Sequence, residues 1–364
     1  MMAELTVARH GPRLRPAQVL EECIASSDSR RLLPVSATPD VAYDEAPPEA
    51  IERQLEPHRR ELTGYCYRML GSGFEAEDAV QETMVRAWRG MDKFEGRSAV
   101  RSWLYRIATN VCLDMLRGPQ RRARPMDLGP ASTAESHLAP GIAEHMWVQP
   151  VPDAWVVPDT GDPAELAASR ETIRLAFVAA LQLLPPRQRA VLILREVLRW
   201  HSTEVAELLD TSVASVNSSL QRARSTLAAN DVDAAQPTRV DTEQEDLLAR
   251  YVDAFERYDV DSLVSILHED VIQSMPPYAL WLRGPQQVVH WLLGQGAGCR
   301  GSRLVATSAN GCAAFGSYRP AGPGVHEPFA IQVIEVSEGR ISGLHNFLYP
   351  ELFAAFGLPS RLES

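Results

Sequence analysis

The chain has 364 residues, 45% hydrophobic and 23% charged, with a formal net charge of −11. Those values fit a globular protein of two or three domains and exclude a disordered polyelectrolyte or a uniformly basic nucleic-acid binder. No apolar run is long enough for a membrane span, no secretory leader is visible, and five scattered cysteines (Cys23, Cys66, Cys112, Cys299, Cys312) form no CxxC pair, so a reduced, cytoplasmic protein without metal or cofactor is expected.

Residues 1–50 mix Pro, Ser, Asp and Arg without periodicity and are expected to form a disordered extension. Helical patterning spans residues 51–120, stopped by Gly118-Pro119. Within it, "FEAEDAVQETMVRAW" (Phe74 to Trp88) opens with Glu75, Glu77 and Asp78 and carries Gln81 and Glu82 further on. Compensation of the helix dipole accounts for acids in the first turn but poorly for Gln81 and Glu82. The next helix, "RSWLYRIATNVCLDMLR", puts Leu104, Ile107, Ala108, Val111, Cys112 and Met115 on one stripe, with Arg106, Asn110, Leu113 and Arg117 opposite. From Arg97 to Arg124 there are seven arginines and one acid, Asp114. Phe94, Trp103 and Tyr105 gather around "DKFEGRSAVRSW". Arginines that follow phosphates beside rings that stack on bases suit single-stranded DNA. The plainer alternative is a solvated amphipathic helix with Trp103 in the core.

These two helices, over roughly residues 54–124, resemble region 2 of the extracytoplasmic-function (ECF) sigma factors, the promoter-recognition subunits of bacterial RNA polymerase. The resemblance implies that Glu77, Asp78, Gln81 and Glu82 contact the polymerase. It implies equally that Phe94, Arg97, Arg101, Trp103, Arg106 and Asn110 take the non-template strand of the −10 element.

Residues 121–169 are rich in Pro, Gly and Ala, and from Met126 to Ala168 they hold seven acids and no Arg or Lys. They are expected to be an acidic linker between domains. The family's linker threads toward the RNA exit path, where such acids would mimic nucleic-acid charge; a solvated spacer is the other reading, and Trp147 and Trp155 suggest local docking.

Residues 170–230 resume as helices. "RQRAVLILREVLRWHSTEVAELLDTSVASVNSSLQRARSTL" reads as a helix-turn-helix: Asp210 tolerates the left-handed turn, Thr211 or Ser212 caps the next helix, and Val213, Val216, Leu220, Ala223 and Leu227 repeat along it. With "LPPRQRAVLILREV" it resembles sigma region 4. That implies −35 contacts by Ser215, Asn217, Ser218, Gln221, Arg222 and Arg224. Ser219 stands where the family often has Arg, which shifts the electrostatic load toward Arg222 and Arg224.

After the break "DVDAAQPTRVD", residues 241–357 place Leu248, Tyr251, Val252 and Phe255 on a helix, then alternate as strands, with a hairpin turn at Ser337-Glu338-Gly339. Helices followed by a bent antiparallel sheet resemble the SnoaL-like (nuclear transport factor 2-like) cone. Trp281, Arg283 and Gly284 of "WLRGP" are candidate regulatory contacts or merely close the cone. Asp270, His268, His290 and His345 are available by type for proton transfer, but a satisfied structural histidine is the commoner case.

The fold class expected is therefore multidomain: two all-α domains, a region 2 helical bundle and a region 4 helix-turn-helix, plus an α+β cone. The function expected is non-enzymatic promoter recognition as a sigma factor. Its partners would be core RNA polymerase, promoter DNA and a small-molecule ligand in the C-terminal domain, without membrane. The competing expectation is a helix-turn-helix regulator with a ligand-binding or enzymatic SnoaL-like domain.

Overall fold

The computed structural model describes residues 53–91, 94, 99–118, 121–229 and 242–363. The N-terminal extension, Arg97 with most of its loop, Pro119 and the break before residue 242 lie outside the described residues. Three helices begin the fold: α1 (Arg59–Leu70), α2 (Gly73–Gly90) and α3 (Val100–Met115). Gly71 ends α1 at φ 74°, where a Cβ would also come within 3.0 Å of Arg122. One residue later Ser72 starts α2, its Oγ accepting the Glu75 N–H at 3.3 Å. Leu62, Tyr65, Val80 and Leu104 are fully buried between these helices.

Two expectations for α3 fail. Met115, the last residue of the helix, is 38% exposed. Tyr105 is fully buried, its ring 5.2 Å from Tyr65 and 5.1 Å from Trp200, so it is core and no base platform.

Residues 121–169 do not run as a free spacer. Trp147 is fully buried and donates through Nε1 to the Ile142 carbonyl at 3.2 Å. Val148, Val151 and Val156 are buried too, and full burial of such side chains stabilises by about 1.5–3 kcal/mol each. Most of the seven acids have partners in the fold: Asp127 pairs with Arg124, Asp159 with Arg60, Asp162 caps the next helix, and Asp153 accepts the Gly311 N–H at 2.8 Å. Apolar residues scattered between prolines carry no period, so the sequence hides their common core.

The second helical region contains α4 (Pro163–Glu171), α5 (Leu175–Leu181), α6 (Pro186–Leu192), α7 (Ser202–Leu208) and α8 (Val213–Ala229). Asp210 adopts φ 49° in the turn between α7 and α8, and Ser212 Oγ accepts the Ser215 N–H at 3.1 Å. Val216, Leu220 and Ala223 are buried, whereas Val213, at the helix start, is 39% exposed.

The C-terminal domain packs α9 (Thr242–Arg257), α10 (Val260–Ser265) and α11 (Pro285–Leu293) against a curved sheet. Its strands are β1 (Leu267–Ser274), β2 (Trp281–Arg283), β3 (Arg303–Ala309), β4 (Cys312–Gly322), β5 (Val325–Ser337), β6 (Arg340–Phe347) and β7 (Leu362–Glu363). The order is β2-β1-β6-β5-β4-β3 with β7 on β5; β1 and β6 run parallel and the other pairs antiparallel. Ser337 pairs with Arg340 across Glu338 (φ 52°) and Gly339 (φ 69°), the expected hairpin. The outer face of this sheet, including Ala314, Ile331 and Val333, joins one continuous core with both helical regions, and Phe353 from the short helical turn Leu352–Ala355 packs into it.

Candidate polymerase and nucleic-acid interfaces

On α2, Asp78, Gln81 and Glu82 are exposed, while Glu77 is half-buried and 3.5 Å from Arg59. Glu82 pairs with Arg86 at 2.6 Å, a surface contact worth about 0.3–0.5 kcal/mol. Helical spacing puts Phe74, Val85 and Trp88 beside these acids, and they are 37%, 41% and 52% exposed. The sequence reading missed these three; an aromatic and aliphatic set outside the buried stripe was the available signal.

Of the −10 candidates, the Phe94 and Trp103 rings lie 4.9 Å apart, both half-buried. Arg101 donates to Glu61 at 2.8 Å and lies over Tyr105 and Trp200, 5.1 and 5.5 Å from the ring centres. Arg106 is exposed and donates to the Glu207 carbonyl of α7 at 3.2 Å; Asn110 is exposed. The face of region 2 that carries Arg101 and Arg106 is thus partly covered by Trp200 and by Glu207 of α7.

On α8, Ser215, Asn217, Ser218, Gln221, Arg222 and Arg224 are all exposed. Arg222 is held by Ser218 at 2.8 Å and Ser219 at 3.2 Å. Arg224 pairs with Glu196 at 2.7 Å, which offsets part of its charge before any phosphate arrives. Asn217 accepts from Ser202 Oγ at 3.1 Å, fixing it against α7.

Two arginines staple the helical regions to each other: Arg68 donates to Thr172 Oγ1 at 2.7 Å, and Arg189 to Gln182 Oε1 at 2.6 Å and the Met69 carbonyl. Arg122 ties the inter-region segment to α2, donating to the Trp147 carbonyl at 2.9 Å and pairing with Glu75 at 2.5 Å. Burial pulls Arg68 and Arg189 down to about 10.

In the C-terminal domain, Trp281 donates to the Gly129 carbonyl at 3.0 Å and accepts the Ser132 N–H at 2.8 Å, so it does touch the inter-region segment. Arg283 is exposed, 3.6 Å from Asp270, and Gly284 at φ 85° turns the chain into α11. The larger contact was missed. Asn310 and Gly311 form the tip of the β3–β4 hairpin; Asn310 is fully buried against both helical regions and Gly311 is half-buried beside it. The Asn-Gly pair between alternating runs was readable as a turn; its burial was not.

His345 accepts or donates a 2.9 Å hydrogen bond with Ser274 and lies 3.4 Å from Glu335, a chain shaped like a nucleophilic triad. The adjoining cavity is only about 10 Å³, too small for a substrate. Asp270 and His290 are exposed, and His268 accepts the Asp270 N–H at 3.1 Å.

Residues 55–122 match the family model of sigma-70 region 2, and residues 174–227 that of sigma-70 region 4. The chain is 45% identical over 344 residues to the ECF RNA polymerase sigma factor SigG of Mycobacterium tuberculosis, covering 93% of this chain and 92% of that one. The chain belongs to the ECF family of RNA polymerase sigma factors. This sigma factor is also 28% identical to SigJ of the same organism, over 85% of this chain and 95% of that one. The SigJ crystal structure superposes with a TM-score of 0.54 at 24% identity, over 84% of this chain and 99% of that one, and shares its fold. The expectation of a free-standing helix-turn-helix regulator therefore gives way. As a sigma factor the protein binds core RNA polymerase and promoter DNA to direct promoter-specific initiation. No described helix is long and apolar enough to cross a membrane.

Proposed function

We propose that the C-terminal domain regulates initiation by holding regions 2 and 4 in the closed arrangement, and that it acts by binding and not by catalysis. The observation that carries this is Asn310. Its Nδ2 donates to the Tyr67 hydroxyl of region 2 and to the Ile173 carbonyl ahead of α5, both at 2.6 Å, and its Oδ1 accepts the Val151 N–H at 3.0 Å. One side chain of the cone thus joins region 2, the inter-region segment and the start of region 4. In the same state Trp200 and Glu207 sit on Arg101 and Arg106.

In this reading, α2 docks on the polymerase with Asp78, Gln81 and Glu82, aided by Glu77 and by the exposed Phe74, Val85 and Trp88. Phe94, Arg97, Arg101, Trp103, Arg106 and Asn110 capture unpaired −10 bases once region 4 withdraws. Ser215, Asn217, Ser218, Gln221, Arg222 and Arg224 read the −35 duplex. Opening costs about 1.4 kcal/mol per base step and each stacked base returns about 1–3 kcal/mol, so two captured bases offset only a few steps. Polymerase contacts supply the remainder, and the free chain does not melt promoters. A small molecule in the cone sets how firmly the domain holds.

The test is run-off transcription with limiting core enzyme. Asn310→Gly keeps the left-handed turn while removing the three bonds, and its expected effect is about a three- to tenfold rise in transcript. Unchanged or reduced output, with the variant folded by circular dichroism, would refute the restraining role.

A further inference from the structure

The cone encloses a cavity of about 240 Å³, below the roughly 300–1,000 Å³ of drug-sized sites. Its wall is mainly apolar and aromatic, with Phe255, Trp291 and Phe329 among the lining side chains. Gln273, Gln332, Asn346 and Arg319 interrupt it. Gln273 and Gln332 are each only 5% exposed. Among the described contacts, the Gln273 amide donates only to the Met275 sulfur, at 3.8 Å. Arg319 stacks on Phe329 and reaches Cys299 Sγ at 3.1 Å, but its buried Nε has no acceptor and no carboxylate pairs with it among the described residues. A half-buried guanidinium without a counter-charge, facing an apolar cavity, is stabilised by an incoming anion.

The mouth of this cavity is crossed by the segment that joins regions 2 and 4. Leu138 lines the cavity from that segment. Gln295, also lining, donates to the Ala134 and Ser136 carbonyls at 2.9 and 3.0 Å. Gln287 Oε1 accepts the Ala134 N–H at 2.8 Å, and the Ile142 N–H donates to the Pro277 carbonyl at 2.8 Å. Ala134 is buried in one cluster with Met275 and Trp291, which face the cavity on their other side. An occupant and the inter-region segment therefore share Met275, Trp291 and Gln295.

We propose that the cone binds a small aromatic carboxylate, its ring against Trp291 and Phe329 and its carboxylate on Arg319, and that the occupant holds the inter-region segment down through Leu138. One or two fused rings match the space. By linkage, whatever the occupant gains from the docked segment, the segment gains from the occupant. The inference deepens the regulatory reading and rests on it only for the consequence in transcription.

The test uses the full chain without polymerase, with 1-naphthoate and its neutral counterpart 1-naphthamide as probes. Calorimetry measures binding, and glutamyl endopeptidase cleavage after the exposed Glu135, followed by mass spectrometry, reports release of the segment. Naphthoate is expected to bind one molecule per chain and to slow that cleavage about fivefold or more. Arg319→Gln is expected to weaken naphthoate about tenfold or more and naphthamide less than about threefold. Leu138→Ala is expected to lose the protection and, by the same linkage, to weaken naphthoate by a similar factor, about fivefold. Absence of binding by naphthoate overturns the ligand class. Equal effects of Arg319→Gln on both probes overturn the role of Arg319. Binding without protection in the unsubstituted chain overturns the coupling. Each of these failures leaves the Asn310 restraint standing, and an unresponsive Asn310→Gly transcript leaves the pocket standing.

Discussion

Asn310 donates a 2.6 Å hydrogen bond to the Tyr67 hydroxyl, which itself donates to the Gln149 carbonyl at 2.8 Å. A hairpin tip near the end of the chain is thereby tied to the first helix of region 2 through a fully buried relay. Gly311 beside it allows the approach, since a Cβ there would meet the Arg170 backbone oxygen at 2.8 Å. Buried amides that lose partners cost about 1–3 kcal/mol each. Tyr67→Phe should destabilise by about 1–2 kcal/mol and Asn310→Gly by about 2–4 kcal/mol in urea unfolding. The double variant should fall short of the sum by at least about 0.5 kcal/mol. Full additivity would mean that the relay is not energetically coupled.

Trp200 covers the side of region 2 that carries Arg101. Its ring meets Tyr105 edge-on and lies under the Arg101 guanidinium, contacts worth about 0.5–1.5 and about 0.5–1 kcal/mol. Trp200→Ala should therefore loosen region 4 and raise the affinity for a single-stranded −10 oligonucleotide by about three- to tenfold. Fluorescence anisotropy checks this; unchanged affinity would show that α7 does not compete with the strand.

The exposed carboxylates of α2 contribute little to folding, so their removal isolates partner binding. Asp78→Asn with Glu82→Gln should leave the melting temperature within about 2 °C. The same pair should weaken association with core polymerase about tenfold, measured by competition against a labelled sigma factor. Trp88→Ala, which removes an exposed ring beside them, should act in the same direction.

Glu335 provides a pH signature. Burial alone would raise its carboxyl, but His345, with Arg124 and Arg174, outweighs this and takes it from 4.5 down to about 2. A depressed carboxylate contributes stability above its unfolded value, and that contribution is lost as pH falls through the folded value. Glu335→Gln should lower the melting temperature at pH 7. The difference from the unsubstituted chain should shrink between about pH 4.5 and about pH 2. A difference that stays constant across that window would assign the effect to packing alone.

Local chemistry was legible where a period or a turn residue carried it. The α2 and α8 boundaries, the Asp210 turn, the Ser212 cap and the hairpin after Ser337 follow from spacing, from capping oxygens and from residues that tolerate positive φ. Tyr105 was misread because an aromatic next to arginines fits a DNA platform as well as a core, and only Trp200 arriving from a distant helix decides between them.

The sequence by itself determined which helices form, where their charges lie and that two sigma-like regions precede an α+β cone, because those depend on residues within a turn or two of one another. Only the tertiary structure decided that the acidic segment is docked, that Arg106 faces α7, that Asn310 joins three parts of the chain and that Leu138 lines a cavity of the cone. Those contacts join residues far apart in sequence, as Asn310 and Tyr67 are, and no local period encodes a hydrogen bond across that distance.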